Sequence, residues 1–410
     1  LSRSFLSIQG DTWVGLSKAY YGHEQNESLI RANNPGVPEQ IPAGTLLTIP
    51  DDPDSPSPPV AQPADSGKDA VTVKIDGEEF TAFTTLVVEK RLDSFDTVTM
   101  IAPWDSSDRN LRRIFKPLKY KPLEVFVGPD LYFLGTMAKV VPVDEIPSTL
   151  TLSGYAKPGV LDQCVIPTTR WPMEWFDLNL EEIVKAIVPD FGIKVVFEES
   201  AGDVFDEVAA SQGQKILNFL TGLAQQRGFI IGNNLAGDIV FRKPTLTESP
   251  AVTLRQGDPV IMRILPRIKD EEFFSSITAV EEASLTSEGS SFTKQNPLLK
   301  GVFRPTIIVP PDAKPGELPG HADAAYARML ANVVDYQVDL ATIRLDDGTI
   351  LNPGDGVAIE APDAMIYQTT DFMVDSTTLT MVEKQSTFSM GVVLPGSYAG
   401  DPPARLPWEE

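Results

Sequence analysis

Three textures of hydrophobic and polar positions follow one another along the chain. In the first fifty residues, the apolar run at 5–8 reads as a short strand, and Gly10-Asp11-Thr12 as a turn leading into a helix N-cap. Trp13, Leu16 and Tyr20 then recur at helical spacing. A second short helix is expected over 26–33 with Leu29 and Ile30 inward, ended by Asn33-Asn34-Pro35-Gly36. A last strand over 46–49 precedes Pro50. The prediction for residues 1–50 is a small β-α-α-β module, marginal in size yet able to fold alone.

From Val71 the apolar period shortens to two. Residues 71–75 alternate, Asp76-Gly77 turns, and the chain returns from Phe80, which predicts a hairpin. Further strands are expected at 97–102, 123–127, 131–134, 138–143 and 150–155, a spacing that suits a barrel-like sheet. The texture then turns helical. Leu180, Ile183, Val184, Ile187 and Val188 form one apolar stripe, and Ile216, Leu217, Leu220, Leu223 and Ala224 a second, with Gly228 placed to end it. Strands at 193–197, 229–231 and 238–241 make this stretch a compact α+β insert. The β texture resumes near 251–255, 260–266, 273–281, 301–309, 336–345, 357–360, 371–381 and 386–394. One long helix interrupts it, with Ala322, Ala325, Met329, Leu330 and Val333 on one face.

The fold class expected is therefore α+β and β-rich: a small β-α-α-β module followed by two barrel-like β domains with a small α+β insert. The boundaries read as a module at 1–50, a linker at 51–68, a first β domain at 69–177, the insert at 178–248, a second β domain at 249–399 and an irregular tail at 400–410. The linker holds five prolines and four aspartates and almost nothing to bury. As an extended tether it could span roughly 55 Å.

Composition narrows the function classes. Proline is in excess, 35 of 410 residues, which argues against an all-helical fold. The net charge of −23 should repel nucleic acid and anionic membrane, so no specific nucleic-acid binding is expected. No apolar run is long enough for a membrane span, and no signal-peptide pattern starts the chain. Cys164 is the only cysteine, so no intrachain disulfide can form, which fits assembly in a reducing cytoplasm.

Candidate chemistry is sparse. The two histidines, His23 and His321, lie far apart in sequence, and with one cysteine a zinc site is not expected. No nucleophile elbow and no phosphate-binding glycine loop occurs. Glu181/Glu182, Glu198/Glu199, Glu271/Glu272 and Glu281/Glu282 are adjacent carboxylates, but neighbours in a strand or helix diverge and form no acid/base dyad by themselves. The expectation is a protein without cofactor or catalytic activity.

Two resemblances sharpen this. Ile8-Gln-Gly-Asp-Thr-Trp13, Leu16, Tyr20-Tyr21-Gly22, Leu29-Ile30, Asn33, and Ile41-Pro with Gly44, Leu47 and Ile49-Pro50 resemble the LysM family across nearly the whole module. That resemblance implies a groove for N-acetylglucosamine-containing glycans such as peptidoglycan. Its positions here would be Gly10, Asp11, Thr12 and Trp13, with Asn34, Pro35, Gly36 and Val37 opposite. The same residues also serve a turn, a cap and a core, and LysM-like modules can act as protein docking pieces, so glycan binding and assembly contact both stand.

The body resembles Mu-type tail hub proteins, related to the late-control D family of contractile-tail phages. The motifs are Gln212-Gly-Gln-Lys-Ile-Leu-Asn-Phe219 through Arg227-Gly228, the hairpin closing at Gly237–Phe241, the helix at 321–333 followed by Leu345-Asp-Asp-Gly and Pro353-Gly, and the Pro-rich, Trp-containing C-terminus. The resemblance implies a structural baseplate hub in the virion tail: a homotrimeric ring joining the tail tube to the central spike and touching other baseplate components. The alternative reading is a peptidoglycan-targeted cell-wall-binding protein or hydrolase anchored by the LysM-like module.

Overall fold

The structure, a computed structural model, describes residues 3–6, 12–21, 27–43, 45–49, 69–144, 146–243, 250–281, 289–310, 315–383, 385–400, 403 and 405–409. The linker expected at 51–68 lies outside them. The chain divides into two compact units, Leu1–Pro63 and Ala64–Glu410.

In the first unit, strands Arg3–Leu6 and Leu46–Ile49 pair antiparallel, with Arg3 opposite Ile49. Helix α1 (Trp13–Tyr21) and helix α2 (Glu27–Ala32) stand between them in sequence. Trp13, Leu16, Ile30, Ile41 and Leu47 form the core, with Val37 packed against it. The helical spacing of Trp13 and Leu16 is thus the spacing of a buried face.

The body is built on one sheet of thirteen strands. Its main path runs Ile261–Ile268, Val334–Leu340, Gln385–Val393, Ile366–Val382, Thr85–Arg91, Thr97–Pro103, Thr149–Ala156, Asp130–Val143, Pro122–Val127, Val71–Ile75 and Glu78–Phe80. Two further strands, Gly356–Ala361 and Val252–Arg255, branch from Ile366–Val382. This corrects the expectation of two barrel-like domains. Among the described residues no pairing closes a barrel, and the strands of both expected domains share one sheet. The join is the antiparallel pairing of Ile366–Val382 with Thr85–Arg91, with Thr378 opposite Glu89 and Thr377 opposite Lys90.

Strand Thr85–Arg91 is missing from the sequence reading for a physical reason. Leu86, Val88 and Lys90 are its inward positions, and a lysine at the third of them hides the alternation. Asp130–Val143 and Ile366–Val382 are longer than expected. Each continues through a β-bulge, between Met137 and Lys139 and between Val374 and Ser376, where the extra residue breaks the period of two.

Alternation gives the sheet one apolar face. Val73, Val88, Met100, Val125, Leu152, Val338, Leu379 and Met390 lie on it and belong to a single buried core that spans both halves. Each such side chain contributes about 1.5–3 kcal/mol of transfer free energy when fully buried. The body also carries helix α3 (Arg109–Ile114), helix α4 (Leu180–Ile187), helix α5 (Ile216–Gln226) and helix α6 (Leu318–Val333). Helix α6 buries Ala322, Tyr326, Met329, Leu330 and Val333, much of the stripe expected for it.

Helices α4 and α5 belong to the insert, which has its own core of Ile183, Val184, Leu220, Phe229, Ile239 and Phe241 and also draws in Leu161 and Ile166. Asn179 and Glu182 form a capping box that starts α4. Gly228, at φ +70°, ends α5: its N–H donates to Gln225 O and that of Phe229 to Ala224 O, the paired bonds of a Schellman motif. Val195–Phe197 runs parallel to Ile239–Arg242, which pairs antiparallel with Ile230–Asn233. A two-stranded sheet, Glu174–Leu178 with Phe205–Ala209, completes the insert. Ser291–Gln295, Ser276–Val280 and Pro305–Ile308 make a separate small sheet.

Candidate functional site: module groove and body junction

The residues expected to line the module groove divide between structural work and exposure. Gly10 and Asp11 lie outside the described residues. Thr12 is exposed, and its Oγ1 accepts a hydrogen bond from the Gly15 N–H (3.0 Å), as an N-cap does. Trp13 is a core residue, 4% exposed. Asn34 is buried and acts as a clamp. Its Nδ2 donates to Ile30 O and Thr48 O (both 2.7 Å), and its Oδ1 accepts from the Thr48 N–H (2.6 Å). One side chain therefore ties the end of α2 to the last strand. Val37 packs on the core, while Pro35 and Gly36 are exposed.

The adjacent carboxylates are engaged locally rather than with one another. Glu182 closes the capping box, Glu181 pairs with Lys185 (2.6 Å), and Glu198 approaches Arg242 (3.6 Å). Glu282 lies outside the described residues. Cys164 is half-buried and packs against the insert core. His321 is half-buried on α6, and burial lowers its pKa against the pull of Glu317. Among the described residues, no group of three His, Cys, Asp or Glu side chains could hold a metal ion.

One buried electrostatic network of the body escaped the sequence reading. Lys90, 4% exposed, lies on the strand that joins the two halves of the sheet, opposite Thr377. Its Nζ donates to Asn352 Oδ1 (2.9 Å) and lies 3.7 Å from the centre of the Tyr132 ring. The Tyr132 hydroxyl in turn bonds Thr377 Oγ1 across the join (3.2 Å). Burial pulls the Lys90 ammonium down to about 8, although Asp96 and Asp355 favour its charge. Asp96 is pushed up by its own burial, opposed by Lys90 and by the hydrogen bond from Asn233. Asn233 Nδ2 donates to Asp96 Oδ2 (3.0 Å), and the Asp96 N–H donates back to Asn233 Oδ1 (2.8 Å). The network fixes the insert hairpin to the sheet. Its one signal in the sequence is a lysine on the apolar side of an alternating run.

A cleft of about 410 Å³ opens between α5, α6 and residues 93–95, with Phe95, Leu217 and Phe229 among its walls. Two carboxylates at this cleft are already paired, Asp93 with Arg91 (3.3 Å) and Asp323 with Lys294 (2.8 Å). The arrangement suits packing between elements better than acid/base chemistry.

A sheet of two fused halves carrying a separately cored α+β insert is similar in fold to solved tail proteins. The 43 kDa tail protein of prophage MuSo2 from Shewanella oneidensis is similar over 80% of this chain and 99% of its own, with a TM-score of 0.68 and 19% identity. A tail protein from Neisseria meningitidis MC58 is similar over 81% and 98%, with a TM-score of 0.66 and 17% identity. The E. coli c3393 protein, a type VI secretion system component described as similar to the T4 tail proteins gp27 and gp5, matches with a TM-score of 0.53 and 11% identity over 81% and 79%. Two family models place the segments more narrowly. Residues 159–243 match the second domain of gp44-like baseplate hub proteins, and residues 4–56 match Phage Tail Protein X. A comparison with curated protein sequences gave no match.

Proposed function

We propose that this chain is the structural hub of a contractile tail or a related injection device, a trimeric ring between the tail tube and the central spike. The observation that carries the reading is the gp44-like hub domain at 159–243, set into a body whose fold follows a phage tail protein over 99% of that protein's length. The physical character of the body supports it. The terminal strand Ile261–Ile268 leaves Met262 and Leu265 exposed, and Phe303, Ile307 and Val309 stand outward along another edge. Open edges with apolar side chains are liabilities in a free monomer and ordinary features of a surface covered on assembly. The residues described supply packing and docking, and the proposed role requires no catalysis and no cofactor.

The module at 1–50 is read as an assembly clip of LysM type. Trp13 and Asn34 are committed to its interior, which leaves Thr12, Pro35 and Gly36 as the exposed part of the groove. Co-expression with the tube and spike proteins of a contractile tail from the same source, followed by affinity capture, tests the hub reading. Recovery of both partners is expected, and capture of neither would overturn it. Retention on purified peptidoglycan that is lost on deleting residues 1–50 would replace the clip by a glycan anchor.

A further inference from the structure

Residues 109–121 carry six basic side chains and no acidic one, in a chain whose net charge is −23. Two of the six are used within the body. Arg113 makes a two-bond pair with Glu78 (2.5 and 2.6 Å), and Lys121 lies 3.8 Å from Asp76. Arg109, Arg112, Lys116 and Lys119 are exposed and have no ion-pair partner among the described residues. Among them stand Leu118 and Tyr120, 86% and 61% exposed. Both adopt a left-handed backbone, at φ +59° and +48°, which bulky residues rarely enter. The loop thus presents an aliphatic and an aromatic side chain outward, ringed by cations.

The insert presents the reverse. In its two-stranded sheet Phe176 lies opposite Glu207, and Glu174 opposite Ala209. Residues 198–207 carry five carboxylates and no basic side chain. Glu174, Asp177, Asp203, Asp206 and Glu207 are all exposed, with Phe176 at 55% and Val204 at 49% beside them. Each surface joins exposed apolar groups to a preponderance of one sign of charge, with Arg227, bonded to Asp203 O and Val204 O, as a cation on the acidic side, and the prevailing signs are opposite.

We propose that the basic loop 116–121 of one chain docks on the acidic Glu174–Leu178/Phe205–Ala209 sheet of a second copy. The proposal rests on the ring reading above and names its contact. Two different surfaces of one chain that fit each other make a heterologous interface, the kind that closes into a ring. Leu118 and Tyr120 pack on Phe176 and Val204, and Lys116 and Lys119 reach the surrounding carboxylates. Opposite charge steers the encounter and fixes its register. A phosphate polymer would satisfy the cations but offers nothing to the outward leucine, so a second copy is the better fit.

The test mixes unlabelled and heavy-isotope-labelled full-length chains and couples lysine to carboxylate with a zero-length carbodiimide. Mixed-isotope peptides joining Lys116 or Lys119 to Glu174, Asp177, Asp206 or Glu207 are expected. Lys116→Glu with Lys119→Glu should weaken self-association at least about tenfold. Adding Glu174→Lys and Glu207→Lys to the same chain should restore it. Leu118→Ser, which leaves every charge in place, should also weaken it, and circular dichroism verifies that each variant folds. An oligomer that keeps its mass in the reversed variants and yields no such peptides overturns the contact and leaves the ring reading intact. A chain that stays monomeric and uncoupled at all concentrations overturns both. Retention of duplex DNA at physiological salt, lost on reversing the two lysines and without chain-to-chain peptides, replaces the second copy by a polyanion.

Discussion

Lys90 offers the sharpest quantitative test of the junction. Its ammonium is buried between the two halves of the sheet and is held down to about 8, against an ordinary 10.5. In the pH range between these values the unfolded chain still binds a proton that the folded chain has released. The unfolded state then binds more protons, so stability rises with pH through this window. At about 1.36 kcal/mol per pH unit, the cost of carrying the charge folded is roughly 3 kcal/mol below pH 8, and it is relieved by about pH 10.5. Lys90→Met keeps the length of the side chain and removes the titration. Urea unfolding of both proteins across this range isolates the effect, because the other lysines and the tyrosines titrate in both and cancel in the difference. The stability of the parent relative to Lys90→Met should climb by roughly 3 kcal/mol from pH 7.5 to 10.5. A difference that stays flat to within about 0.5 kcal/mol would refute the burial of a charged Lys90 at this junction.

Other consequences follow from single side chains. Asn34→Ala strips the Thr48 N–H and C=O of their partner, and should loosen the first module by about 2–4 kcal/mol, read as faster hydrogen exchange at the Thr48 amide. Gly154→Val sets a branched side chain where even a Cβ would lie 2.8 Å from Thr136 O and from Leu123, so the melting temperature of the body should fall by an amount equivalent to about 1–3 kcal/mol. Gly228→Ala retains the space but not the left-handed backbone, and should cost about 1 kcal/mol in chemical denaturation.

Local rules carried the sequence reading a long way. The stripes of α4 and α5, the C′ role of Gly228 and the alternation of Val71–Ile75 each depend on neighbours within a turn or a strand, and each appears in the structure. What stayed hidden depends on distant pairing. Thr85–Arg91 joins the two halves only because Ile366–Val382 lies beside it, and its inward lysine makes sense only with Asn352 and Tyr132 in place. The strand Glu174–Leu178 exposes Glu174, Phe176 and Asp177, so no apolar period announces it. The groove residues show the converse: Trp13 and Asn34 have the types and spacing of a binding site, and burial commits them to the core and to a backbone clamp.

The central claim, that three copies of this chain make a ring, is tested most directly by the mass of the purified full-length protein in solution. Light scattering behind size exclusion should give three times the 44.7 kDa chain, about 134 kDa, over a wide range of concentration. A particle of one chain mass across that range would contradict the account.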